Sequence, residues 1–166
     1  MKKSLVITAI VALSAFAFQA SFAQANATQN LTLAVNTIYK IATSGNPGAL
    51  TISTGTAGTD ALTSVSDAST TYSITQNFAN TVKITANLDA ALSAGYALQV
   101  NLGSSKGTSS GTVDISNATS GSALNVVTAI AKGADAGQPI TYTFSANASA
   151  GTLSSTAKVV TLTLTN

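Results

Sequence analysis

The sequence predicts an all-β protein, an antiparallel β-sandwich of about seven to nine strands behind an N-terminal export signal. Three observations carry that expectation. Apolar residues recur at every second position in short runs, the spacing that lines one face of a strand. Thr, Ser and Asn fill the positions between them, so each strand has a dry face and a wet face, as in antiparallel sheets. Clusters of Gly, Asn, Ser and Pro separate the runs and read as turns. Two dry faces packed together make a sandwich.

Residues 1–23, MKKSLVITAIVALSAFAFQASFA, come first. Lys2 and Lys3 form a basic start, Leu5 to Phe18 is an apolar stretch, and Ser21-Phe22-Ala23 ends in the small-x-small pattern of a cleavage site. The apolar stretch is shorter than the roughly 20 residues a membrane span needs. The expectation is a signal peptide over 1–23, then one domain over 24–166 with no membrane span, exported to the periplasm, the cell surface or the medium. The chain has no Cys for lipidation.

The strands follow in order. Leu31, Leu33, Val35, Tyr39 and Ile41 share one phase, and Leu50 and Ile52 repeat it. Tyr72 and Ile74 come next, then Val82, Ile84, Ala86 and Leu88. Tyr96, Leu98, Val100 and Leu102 alternate with Ala97, Gln99 and Asn101. Val113 and Ile115, a run around Val126–Ala131, and Ile140, Tyr142, Phe144 and Ala146 continue the series. Val160, Leu162 and Leu164, set between Thr161, Thr163 and Thr165, close it. Turns are expected at 45–48, 77–80, 103–111, 133–139 and 150–151. Residues 88–94 suggest one helical turn stopped by Gly95, and 54–69 reads as a long loop with at most an edge strand.

Composition excludes several chemistries. Charged residues make up 7% of the chain, against roughly 25% in an average soluble protein. There is no Cys, His, Trp, Glu or Arg, while Thr occurs 26 times, Ser 21 and Ala 30. Zinc fingers, disulfide scaffolds, Cys or His catalysis and Arg-based phosphate recognition are therefore out. After residue 23, Lys40, Lys83, Lys106, Lys132 and Lys158 balance Asp60, Asp67, Asp89, Asp114 and Asp135. No basic patch remains for nucleic acid. A neutral, hydroxyl-rich surface tolerates close association with copies of itself.

Few motifs carry chemistry. Gly103–Gly107 and Gly107–Gly111 both match G-x-S-x-G, but no His base exists and no helix follows. Ser155-Thr156-Ala157-Lys158 matches S-x-x-K, yet it enters a β-run, where positions three apart face opposite ways. The five Asp form neither D-x-D nor an EF-hand loop. No enzyme, cofactor or metal site is expected. The four Tyr fall in the apolar phase of their strands and read as core residues. Phe78, in a turn between Asn77 and Asn80, is the candidate exposed aromatic contact.

A Lys-Lys leader, a Thr/Ser/Ala-rich body without Cys and a last strand ending VTLTLTN resemble small bacterial surface and fimbrial β-sandwich proteins. The resemblance implies an immunoglobulin-like or pilin-like build and a structural or adhesive role at the cell surface. Chaperone–usher pilins pass a strand from one subunit into the next. Here Gln24–Asn30 forms a polar leader running into Leu31, Leu33 and Val35, the candidate donor strand, and Val160, Leu162 and Leu164 form the candidate edge. Many such pilins carry a disulfide and a penultimate aromatic residue; this chain has neither. The expected partners are other copies or other surface proteins, joined through strand edges. The alternative is a non-catalytic module binding a glycan or another surface polymer.

Overall fold

The computed structural model describes residues 25–166; the expected signal peptide over 1–23 lies outside them. The described part of the leader runs to Ala34, and the body is Val35–Asn166.

The body is all-β. Its strands are β1 (Tyr39–Thr43), β2 (Val65–Gln76), β3 (Val82–Leu88), β4 (Tyr96–Leu102), β5 (Thr108–Ser109), β6 (Val113–Asp114), β7 (Leu124–Ile130), β8 (Gly133–Ala146) and β9 (Val160–Thr165). A single 3-10 turn at Ala148–Ala150 interrupts them. One sheet has the order β1-β2-β8-β4-β6, the other β5-β7-β3-β9, and every pairing is antiparallel.

Alternation dictates what is buried. On β3, Val82, Ile84, Ala86 and Leu88 point inward while Lys83 and Thr85 stay half-buried on the outer side. On β4, Leu98, Val100 and Leu102 are buried between Gln99 and Asn101. These meet Tyr72 and Ile74 of β2, Val126, Val127 and Ile130 of β7, and Ile140 and Tyr142 of β8 in one core cluster fed by both sheets. A buried aliphatic side chain contributes about 1.5–3 kcal/mol, so this cluster is the principal stabilising term. Tyr72 satisfies its hydroxyl by donating to the Gly103 carbonyl at 2.6 Å.

The two sheets end unequally. On one flank the end strands are β5 and β6, each two residues long. On the other they are β1 and β9, five and six residues long.

Several expected elements differ. Residues 31–38 form no strand although Leu31, Leu33 and Val35 share the phase of β1: no strand pairs with 31–35, and Asn36 and Ile38 are hydrogen-bonded only to Asn77, beyond the end of β2. Leu50 and Ile52 alternate yet lie outside any ladder. Gly133–Pro139, expected as a turn, is the first half of β8; it follows β2 through one register irregularity, between Asp135 and Gln138, and Pro139 lies opposite Thr71. Thr54–Ser69, expected as a loop, holds a bridge between Gly55 and Leu62 and the start of β2 at Val65. The expected turn at 103–111 contains β5. Residues 89–94 bend without forming a helix.

β7 also carries a local kink. Val82 lies opposite Ile130 but Ile84 lies opposite Val127, so β7 has one extra residue there. Ala129 takes up the bulge in the left-handed region, at φ 53°.

Candidate functional site

The body opens between its two long end strands. β1 and β9 each pair with one neighbour, β2 and β3 respectively, and leave the other edge unpaired. Between them lies a groove of about 1270 Å³. Its floor is the inward face of the first sheet: Ile41 of β1, Tyr96 and Leu98 of β4, and Tyr142, Phe144 and Ala146 of β8. Val160 and Leu162 of β9 contribute from the second sheet. Two segments without ladder partners form its walls, Gly45–Ile52 and Gly151–Val159.

The groove follows from the alternation that built the strands. Every second residue of β4, of β9 and of the Ile140–Ala146 half of β8 is apolar and points to the inside of the body. β1 and β9 approach each other across this flank without pairing, and the floor beside them is flanked by the unladdered segments 45–52 and 151–159 instead of by a further strand. Phe144, Val160 and Leu162 are consequently half-buried, although their phase is that of the core.

The local geometry is fixed by a few polar contacts. The Tyr96 ring stacks on Phe144 with centroids 6.4 Å apart and planes 14° from parallel. The Tyr96 hydroxyl donates to the Ala150 carbonyl at 3.0 Å and so pins the start of one wall. At the other end of that wall, the Asp89 amide donates to the Val159 carbonyl at 3.0 Å, and the Val159 amide donates to Asp89 Oδ1 at 3.2 Å. Burial pushes the Tyr142 phenol above its ordinary pKa. Lys158 is the single charged residue among those lining the groove, and its Nζ donates to the Ala90 carbonyl at 3.3 Å. An apolar floor between hydroxyl-rich walls with one lysine suits a strand that is apolar on one side, polar on the other and uncharged.

The candidate donor residues are as open as residues become. Leu31, Leu33 and Val35 are 79%, 82% and 84% exposed. No charged residue occurs between Gln24 and Tyr39. Of the candidate edge, Val160 and Leu162 line the groove, whereas Leu164 is half-buried farther along β9.

Phe78 is not the free aromatic platform its turn position suggests. It is half-buried against the core, with its ring 5.6 Å from that of Tyr39. The turn folds it inward because the Phe78 amide donates to Gln76 Oε1 at 2.8 Å and Gln76 is buried.

The serine motifs have other work. Asp135, 4% exposed, accepts from Ser104 Oγ at 3.1 Å, Ser105 Oγ at 2.7 Å, and the amides of Ser105 and Lys106 at 2.9 and 3.2 Å. Burial raises the pKa of this carboxyl, but these donors outweigh it and hold the group below the usual carboxylate range. Ser104 and Ser105 thus brace the Gly103–Gly107 loop onto β8. Asp60 likewise binds the amide and hydroxyl of Ser149, both at 2.8 Å, and Asp67 binds Ser69. Among the described residues no three metal-ligating side chains gather at one point. No helix among them is long and apolar enough to cross a membrane.

Sequence reasoning missed the groove because it is defined by a gap between residues more than 100 positions apart. The signal available was the pair of alternating runs, Leu31–Val35 and Leu50–Ile52, with no obvious partner for either. No known protein family, curated protein or solved structure matches the chain.

Proposed function

We propose that the chain is an exported structural or adhesive subunit that associates by strand addition, the leader of one copy filling the groove of the next. In this reading the two sheets form an immunoglobulin-like or pilin-like sandwich open along one side, and the leader supplies the covering strand. The observation that carries it is the groove itself: core-phase residues of three strands, Tyr96, Phe144, Val160 and Leu162, are left half-buried beside the unpaired edge of β9. The leader matches it in chemistry, with three exposed apolar residues at strand spacing and no charge. An added strand gains main-chain hydrogen bonds along the edge and buries alternate side chains. Nothing in this role calls for catalysis or a cofactor.

Sedimentation velocity and negative-stain electron microscopy across a concentration series test the proposal. Oligomers that lengthen with concentration are expected. A protein that stays strictly monomeric at high concentration, with its leader intact, overturns it.

A further inference from the structure

A single side chain holds the root of the leader. Tyr39 lies opposite Gln76 in the β1–β2 ladder, so Ile38 and Asn77 are the next pair along. The Asn77 amide donates to the Ile38 carbonyl at 3.3 Å. Asn77 Oδ1 accepts from the Ile38 amide at 2.7 Å, and its Nδ2 donates to the Asn36 carbonyl at 2.9 Å. Three hydrogen bonds from one residue therefore carry the β1 ladder two residues past its end.

These are the residues on which self-closure depends. The simplest rival to assembly is a hairpin in which the leader folds back along the free edge of β1 of its own chain. Tyr39 and Ile41 face the core, and residues directly opposite in an antiparallel pair share a face. A tight two-residue turn at Asn36-Thr37 would set Thr32 opposite Ile41 and Ala34 opposite Tyr39. That hairpin leaves Leu31, Leu33 and Val35 on the wet side, because a one-residue slip flips every side chain. The hairpin that buries them sets Leu33 opposite Ile41 and Val35 opposite Tyr39. Its turn must be Asn36-Thr37-Ile38, the stretch that Asn77 holds. That turn also offers two β-branched residues and no Gly for the left-handed position such a loop requires.

We propose that Asn77 is a positioning residue that keeps the leader from closing on its own groove and so commits it to a second copy of the chain. This rests on strand addition as the mode of association. Asn77 acts before any partner arrives, by holding the shortest turn that would bring the leader home in the right phase.

The test uses the full purified protein carrying Asn77→Ala, and Asn77→Asp, which keeps the acceptor for Ile38 but loses the donor to Asn36. Hydrogen exchange on the dilute monomer reads the amides of Leu31–Val35, and sedimentation reads assembly. In Asn77→Ala those amides become protected, and oligomer yield falls about tenfold, the shift expected for two lost solvent-exposed hydrogen bonds. Asn77→Asp falls between it and the native protein. It also keeps the test decisive if the alanine variant does not fold. A purely structural role would lower the melting temperature yet leave leader exchange fast and assembly unchanged, and that result overturns the inference. A synthetic peptide of residues 25–36, added to a chain disarmed by Leu31→Asp and Leu33→Asp, separates the two claims. Without binding, strand addition fails and this inference with it. Binding combined with unchanged behaviour of both Asn77 variants overturns the inference alone.

Discussion

Replacing Leu33 with Ala in the donor segment tests phase as well as burial. Leu33 is 82% exposed, so nearly all of its side chain is available to bury on strand addition. Leu→Ala removes three carbons at about 0.8 kcal/mol each, roughly 2 kcal/mol when burial is complete. At about 1.4 kcal/mol per decade the dissociation constant rises about thirtyfold. The assay is fluorescence polarisation of a labelled 25–36 peptide titrated with the disarmed chain carrying Leu31→Asp and Leu33→Asp. Thr32→Ala in the same peptide serves as the opposite-phase control. Its side chain points outward on the added strand, and its replacement costs less than about threefold, within the roughly 1 kcal/mol span of β-propensity. Equal losses at the two positions, or no loss at Leu33, would refute an in-phase donor and with it the match between leader and groove.

Three further outcomes bear on the body. Thr70 is buried with its Oγ1 unpaired, so Thr70→Val keeps the shape, removes the unsatisfied hydroxyl and stabilises by about 1 kcal/mol; a thermal melt that does not rise contradicts this. Asp135 has a folded pKa below its unfolded one, so its contribution is present above the ordinary Asp range and is lost as pH falls through the folded value. Asp135→Asn therefore costs roughly 2–3 kcal/mol at neutral pH, because the loop amides lose a charged acceptor, and urea melts show a flatter acid limb than in the native protein. Ala129→Gly relieves the left-handed backbone in β7 and stabilises by up to about 1 kcal/mol; a destabilised variant would show that the bulge carries no strain.

Much of the body was legible because its strands are consistent at every level. β3, β4 and β9 show uninterrupted alternation, and the structure buries the selected residues of β3 and all but Tyr96 of β4, and half-buries those of β9. β2 was half-hidden because Val65–Thr71 is mostly Ser, Asp, Ala and Thr, and its extension comes from pairing with β8 rather than from its own pattern. The start of β8 was masked in the same way by Gly133, Gly137 and Pro139, turn residues that the ladder with β2 overrides. Leu50 and Ile52 show the opposite case, a strand pattern with no partner. The groove was out of reach because a gap depends on which edges remain free, and that follows from topology. Asn77 gave no local signal beyond a turn, since its role rests on a contact with residues 39 and 41 positions away.

The inequality between the two flanks has a directional consequence. Edges two residues long offer too little main chain for a stable lateral join, so copies cannot tile sideways into a sheet from the β5–β6 flank. Under the proposed strand addition, joining through the β1–β9 flank would use different surfaces on the two molecules, a heterologous contact that continues without limit unless it closes into a ring. Such a thread is polar. At one terminus the leader has no acceptor, and at the other the last groove stands uncovered, so whatever starts or stops growth must recognise one terminus and ignore the other.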